Sequence, residues 1–395
     1  MARNEFTRIH LLMLCIMAFF AMAAGTLLAP VLPEMVEPLH TTSTEVSLLM
    51  SVLTISIAVF TLVIGHFIDR VHRKTLLVPC LVIYGMTGLA CFFVSDLVLL
   101  CALRFIQGFG VAGMMTLALL IIGDVYHGNE SLRPVSMISM SFAIGAISVP
   151  LIGGYLALIG WNWPFLFYAL ALPFAVAVLV WLPETGTKNL TWEHTGIGSA
   201  FTALKDLRVA YTVFLGFTVY FLLFAMAVWV PFMLKGTFGF TSGESGLALA
   251  LEGIAVVFMA SRVGPLAGRY SVPIVITGGL AIVGVSLAFM ASVPSVITIL
   301  LMLILFGAGY ALAQVSVDVL IIQVSSTESR GGVLSLHTCA KYTGSSLAPV
   351  ILGIVLVVYG LNAVFILAGF FGLIIALLTY AMRERFRSER KVQTG

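Results

Sequence analysis

Twelve long apolar stretches dominate this chain, at residues 8–32, 43–66, 75–94, 98–124, 134–160, 163–182, 209–234, 243–264, 271–292, 295–323, 332–358 and 361–382. A helix needs about 20 apolar residues to cross the hydrocarbon core of a bilayer. Inside lipid every backbone N–H and C=O must find a partner within the protein, which leaves helices and closed barrels as the only spanning structures. These runs are too long and too uniformly apolar to alternate as barrel strands do. The expectation is an all-α membrane protein of twelve transmembrane helices. Only 9% of the residues are charged, against about a quarter in a soluble domain, so water is not the main solvent of its surface.

The twenty Lys and Arg residues set the orientation. With both termini in the cytoplasm, seventeen of them fall on the inner side. Lys235 alone falls outside, and Arg104 and Lys341 lie within spans. Such an excess is the positive-inside pattern of a multi-pass protein of the cell (inner or plasma) membrane, and it agrees with an even number of spans. The slight net positive charge therefore reports topology and affinity for the lipid bilayer, not nucleic acid. The first run is too long for a cleaved signal peptide and lacks a small-residue cleavage site, so it is expected to remain as span one. The five cysteines show no metal-ligand or redox spacing. Nothing resembles an ATP-binding loop or a nucleophile–base pair. The expectation is a protein that is not an enzyme and carries no metal and no cofactor.

Six spans lie on each side of the polar stretch 183–208, and the two sides are related. Gly65, Arg70, Gly108, Gly110, Gly145, Pro150 and Gly154 recur as Gly264, Arg269, Gly307, Gly309, Gly344, Pro349 and Gly353, all 199 positions on. Duplicated halves are the build of many secondary transporters. The expected organisation is an N-terminal six-helix bundle at 1–182, a cytoplasmic linker at 183–208, and a C-terminal six-helix bundle at 209–395 that ends in a short basic cytoplasmic tail.

The loop after span two reads Gly65-His66-Phe67-Ile68-Asp69-Arg70-Val71-His72-Arg73-Lys74. A glycine at a helix end permits a tight turn, and one acid among several bases can lock cytoplasmic helix ends together; the alternative is a solvated basic loop that obeys the topology rule. With Gly65, Asp69, Arg70, Arg73 and Lys74 all in place, the loop resembles the signature loop of the major facilitator superfamily. The resemblance implies that the acid contacts the start of span eleven and that an arginine reaches an acid at the end of span four, where Asp124 stands. These six residues are the expected cytoplasmic gate. The second copy, Gly264-x-x-x-Gly268-Arg269, has Gly268 in place of the acid.

Three further segments carry the resemblance. Span four contains Arg104-Phe105-Ile106-Gln107-Gly108, similar to the family's span-four motif, whose arginine is associated with proton coupling; from depth alone, an arginine snorkelling to the outer surface is the alternative. Span five runs Gly145-Ala146-Ile147-Ser148-Val149-Pro150-Leu151-Ile152-Gly153-Gly154, similar to a motif found chiefly in exporters, with Val149 replacing the glycine before proline. Gly344, Pro349 and Gly353 repeat it in span eleven. Proline bends a membrane helix and glycines admit a neighbour, so these positions read either as a hinge or as an ordinary packing kink. Span six ends in Leu182-Pro183-Glu184-Thr185, where the proline is a helix stop.

Ionisable residues inside spans are costly and mark candidate sites. Beyond Arg104 they are Glu252, Asp318, His337 and Lys341. His337 and Lys341 are four apart and share a helix face. Asp318 lies at a matching depth, so an Asp318–His337 or Asp318–Lys341 pair reads either as a static salt bridge or as a proton-responsive latch. Glu252 has no sequence-local partner, which suits a proton carrier; a hydrogen-bonded structural acid is the alternative. The five are the expected proton-coupling group.

The family implies the major facilitator fold: two pseudo-symmetric six-helix bundles around a cavity lined by spans one, four, seven and ten. Phe20, Gln107, Phe217, Tyr220, Phe221, Tyr310 and Gln314 are the expected lining. The expected function is that of a monomeric drug:proton antiporter, exporting a small amphipathic molecule by alternating access with the proton gradient as its energy source. A proton-coupled nutrient importer and a non-transporting membrane sensor are the alternatives.

Overall fold

The computed structural model describes residues 6–67, 71–126, 128–185, 202–292, 295–326 and 329–386, with the side chains of 65–67, 128–129 and 132 outside that description. Among the described residues twelve helices are long and apolar enough to cross a membrane. They are Arg8–Met35, Ser43–Ile64, Arg73–Phe92, Leu97–Val125, Arg133–Ala157, Trp163–Trp181, Leu207–Phe238, Ser242–Tyr270, Val272–Met290, Val296–Val324, Arg330–Tyr359 and Leu361–Phe386, spans one to twelve. Span one tightens into a 3₁₀ turn at Ala29–Val31, where Pro30 and Pro33 remove backbone donors. Pro150 and Pro349, by contrast, lie inside unbroken helices.

The duplication reaches down to single hydrogen bonds. At the start of span two the Glu45 carboxylate accepts from Thr42 N at 3.0 Å, while Glu45 N donates to Thr42 Oγ1 at 3.2 Å. At the start of span eight Glu244 and Thr241 repeat this reciprocal cap at 2.8 and 3.2 Å. Each box satisfies donors that a helix start leaves bare. Both pairs are 199 positions apart.

The second copy of the signature loop is not a loop. Gly264, Gly268 and Arg269 belong to span eight, which continues to Tyr270, and Ser271 alone connects it to span nine. Glycine in lipid does not end a helix by itself, and Gly264 and Gly268 face open space. The turn falls instead on Ser271, at φ 82°, with Pro273 opening span nine. A serine held there is strained by roughly 1 kcal/mol, and glycine adopts that conformation freely. Ser271→Gly is therefore expected to raise the thermal unfolding midpoint in detergent; a lower midpoint would contradict this account.

The chain divides into two compact units, Met1–Trp192 with Gly239–Ala250, and Glu193–Phe238 with Leu251–Gly395. Small residues set the helix crossings in each, because lipid supplies no hydrophobic drive and close backbone contact must do the work. In unit one, Gly108 of span four lies against Leu53 O and Ser56 of span two, and a Cβ on Gly110 would sit 2.5 Å from Cys80 O in span three. In unit two, Gly307 of span ten lies 2.5 Å, by the same measure, from Glu252 O in span eight, and Gly309 2.8 Å from Gly279 O in span nine. Leu53 and Glu252, like Cys80 and Gly279, are again 199 apart. The halves share their crossings and differ in the side chains hung on them. Unit one also holds the first turns of span eight: Ser242 Oγ donates to Gly154 O at 2.9 Å, and a Cβ on Gly246 would meet Pro150 O at 2.5 Å. Span seven is capped by Asp206, which accepts from Arg208 N at 2.8 Å. The Arg208 side chain beside it holds the Asp206 carboxyl below its ordinary range.

Candidate functional site

Polar side chains inside the spans gather into two groups, one in each unit. In unit two, Gly307, Tyr310, Gln314 and Asp318 follow one another at helical spacing and so share a face of span ten. The Asp318 carboxylate accepts from Gln314 Nε2 at 2.6 Å, lies 3.1 Å from His337 Nε2, and forms an ion pair with Lys341 Nζ. The Lys341 ammonium stands 5.2 Å from the centre of the Tyr220 ring in span seven. Exposure is uneven: 38% for the Asp318 side chain, 12% for Lys341 and 3% for His337. The acid occupies the open side of the cluster and its bases stand behind it. Span seven passes His337 at Gly216, where a Cβ would lie 2.7 Å from Nδ1. That ring nitrogen is buried without a hydrogen-bond partner among the described residues.

Glu252 occupies span eight, 9% exposed, and its carboxyl makes no hydrogen bond or ion pair among the described residues. Of the five expected proton-coupling residues, the fold brings Asp318, His337 and Lys341 into one cluster. It places Glu252 on the adjoining helix of the same unit and Arg104 in the other unit.

Arg104 does not snorkel. Its side chain is fully buried, with Nη1 donating to Gln107 Oε1 at 2.7 Å and Nη2 to Ala24 O at 2.8 Å. Tyr168 of span six presents its ring 5.5 Å from the guanidinium carbon. Gln107 Nε2 donates to Tyr84 O at 3.2 Å, and the Tyr84 hydroxyl donates to Phe20 O at 2.7 Å. No carboxylate pairs with Arg104 among the described residues, and its Nε is buried without a partner. Neutral carbonyls and an aromatic face carry this charge, which is tolerable only because several act together.

Where span three starts and span four ends, Arg73 Nε donates to Asp124 Oδ2 at 2.9 Å. Lys74 N donates to Glu184 Oε1 at 3.1 Å, and His72 stands 4.0 Å from the same carboxylate. Asp69 and Arg70 lie outside the described residues, and Gly65 falls in the last turn of the helix Ser43–Phe67.

The expected hinge glycines are all close-contact positions where contacts are described. Gly145 faces Met22, Gly153 the Leu27 carbonyl, Gly154 the Ser242 carbonyl and Gly344 the Phe217 carbonyl, while Pro349 and Gly353 are buried in span eleven. The expected cavity residues divide. Phe217 stacks between Phe214 and Phe221 at 6.0 and 5.9 Å, and Phe20 sits among Tyr84, Phe167 and Phe174. Tyr220 adjoins Tyr310 and Tyr342. Gln107 is spent on Arg104 and Gln314 on Asp318. Sequence reasoning missed Tyr84, Tyr168 and Ala24 around Arg104, and Gly216 as the seat of His337. Carbonyl and ring partners leave no spacing signal; Glu184, an acid beside a helix-stopping proline on the basic face, was findable.

The family profile described as Major Facilitator Superfamily matches residues 14–349 and 237–395. The chain is 25% identical over 394 residues to the bacillibactin exporter of Bacillus subtilis (strain 168), covering 94% of this chain and 95% of that protein. It is 24% identical to multidrug resistance protein 2 of the same organism, covering 93% of each. Among solved structures, a bacterial homolog of the human lysosomal transporter Spinster, inward-facing and unoccupied, superposes with a TM-score of 0.81 at 17% identity, over 96% of this chain and 97% of that one. A D-xylose–proton symporter does so with a TM-score of 0.76 at 16% identity, over 94% and 96%. At these identities the two structures share the fold alone.

Proposed function

This chain belongs to the Major Facilitator Superfamily and is a multi-pass membrane transporter, and we propose that it exports a small amphipathic molecule in exchange for protons. The observation that carries the reading is the acid chemistry of unit two, where a lone buried carboxyl at Glu252 accompanies Asp318, balanced between Lys341 and His337. A carboxyl inside a span that either holds a proton or finds a cation is the minimum equipment for proton coupling. The direction is supported by relatives named as a bacillibactin exporter and a multidrug resistance protein, each aligned over more than nine-tenths of this chain. Import by proton symport is the second reading, favoured by Val149 in the exporter-type segment and by the shared fold of the xylose symporter.

In the proposed cycle the termini are cytoplasmic, and the halves 1–182 and 209–395, joined by 183–208, rock around the central spans. Protonation of Asp318 releases Lys341, and the freed charge pattern changes which face the site prefers. Glu252 loads and unloads the transported proton. The Arg73–Asp124 pair, with Asp69 and Arg70, latches the inner side, and the glycines around Pro150 and Pro349 take up the bending.

Everted vesicles loaded acidic inside, and right-side-out vesicles placed in acidic medium, test this reading with ethidium as probe. Uptake into everted vesicles alone, reduced about a hundredfold in Glu252→Gln as expected for a lost proton-transfer group, supports export. Uptake that ignores the pH gradient in the unmodified protein overturns proton coupling, and uptake into right-side-out vesicles alone indicates import.

A further inference from the structure

Three donors close on one carboxylate in unit two, and they are not equivalent. Lys341 Nζ and His337 Nε2 meet the same oxygen of Asp318, Oδ1, the histidine at 3.1 Å, while Gln314 Nε2 takes Oδ2 at 2.6 Å. An ionised carboxylate only accepts, so Nε2 of His337 carries the hydrogen, and the neutral ring then keeps a bare Nδ1. The surroundings of Nδ1 fit that tautomer. It is buried without a hydrogen-bond partner among the described residues, and the side chain is 3% exposed. A second proton would sit there as an N–H with no acceptor, which costs most for a charged group. It would also set a second cation beside Lys341 on one oxygen, and like charges oppose each other's ionisation. Among the described residues the titratable groups around the ring are Asp318, from span ten, and Lys341, one turn along on its own helix. Span seven meets the ring with Gly216, and Tyr220, one turn further on, lies under Lys341 instead. Gly216 is a seat: a Cβ there would stand 2.7 Å from Nδ1, closer than packed atoms come. Glycine therefore lets the ring lie where Nε2 reaches Asp318.

We propose that His337 is a fixed, neutral hydrogen-bond donor that positions the Asp318 carboxylate and carries no transported proton itself. His337 and Gln314 then hold one oxygen each whether or not Lys341 is in place. The acid keeps its aim toward the open side of the cluster while its counter-ion comes and goes. That consequence rests on the proton-coupled reading above; the charge state of the ring does not. His337 thereby leaves the proton-coupling group and becomes its support, with Gly216 as the seat of the ring.

Nitrogen NMR of the full chain in lipid nanodiscs, with isotope-labelled histidine, reads the ring directly, and the signals absent from His337→Gln belong to His337. The expected spectrum has one N–H nitrogen, Nε2, and one bare nitrogen, Nδ1, unchanged from about pH 5 to 8. A ring that gains a second N–H in that range, or holds its hydrogen on Nδ1, overturns the proposal. In everted vesicles His337→Leu, which removes the donor, is expected to lower pH-driven ethidium uptake about tenfold, the equivalent of one hydrogen bond to a charged group. His337→Gln offers an amide N–H in place of Nε2–H and cannot gain a proton. It is expected to recover most of that loss, with the pH profile of the unmodified protein. Uptake in His337→Gln as low as in Asp318→Asn would mark the ring as a proton carrier and overturn the proposal. Gly216→Ala is expected to repeat the His337→Leu loss and to add nothing when the two are combined; full additivity refutes the seat. If Asp318→Asn keeps full pH-driven uptake, the coupling assignment falls, and the state of the ring in the NMR spectrum still decides the proposal.

Discussion

Asp318→Asn is expected to lower pH-driven transport by about a hundredfold, the lower range for removing a proton-transfer group, and to destabilise the protein as well. Asparagine matches aspartate in shape and keeps a partner for Gln314, but it leaves the Lys341 ammonium without its counter-ion at a side chain only 12% exposed. Removing one partner of a buried pair costs about 3 kcal/mol or more, whereas replacing both by apolar groups is often neutral. The solvent that reaches Asp318, 38% exposed, holds this cost to the low end. The two losses should separate in Asp318→Asn/Lys341→Met, which is expected to recover the melting temperature of the unmodified protein and none of its pH-driven uptake. Recovery of transport with stability would mean that the pair only neutralises charge, the static alternative that the spacing of these residues left open.

Gly344→Val is expected to have the largest effect on folding. A Cβ there falls on the Phe217 carbonyl, with Phe217 C 3.0 Å away. The obstacle is backbone, which cannot rotate aside as a side chain can, so spans seven and eleven must separate. Overpacking of this kind costs about 1–3 kcal/mol for small intrusions, and valine adds more than a methyl. The separation also reaches His337, two turns away on the same helix and seated against Gly216. The expected result is little monodisperse protein for Gly344→Val and a lowered melting temperature for Gly344→Ala. Gly268→Ala is the internal control: nothing lies within 4 Å of its Cβ position, and alanine is the better helix former by about 1 kcal/mol. Equal behaviour of the Gly344 and Gly268 variants would refute this account of the crossing.

The two glycines illustrate how unevenly the sequence could be read. Gly344 repeats Gly145 and Gly268 stands where the first copy has Asp69, and neither fact tells that one lies at a helix crossing and the other on an open helix face. The repeat at 199 positions was visible as glycines and prolines, because these residues are chosen by backbone geometry and survive when side chains diverge. It extends in the structure to the paired caps at Thr42/Glu45 and Thr241/Glu244. The second loop copy misled for the complementary reason: Gly264 and Arg269 kept the motif while the chain kept its helix through Tyr270. Asp318, His337 and Lys341 were readable as neighbours because their depths matched. Arg104 was readable as an anomaly and unreadable in its solution, since Ala24 and Tyr84 contribute carbonyl oxygens that any residue could supply.

The amino-acid sequence alone determined the number of spans, their order and the existence of two related halves. Apolar length and the placement of charge are additive along the chain and answer to the solvent, so no knowledge of neighbours is needed to read them. Only the tertiary structure decided which polar groups meet. Whether Lys341 faces Asp318, whether Arg104 is buried or hydrated, and whether Glu252 stands alone depend on the rotation of each helix about its axis. That rotation is set jointly by glycine contacts on two or three neighbouring helices, and no single segment records it.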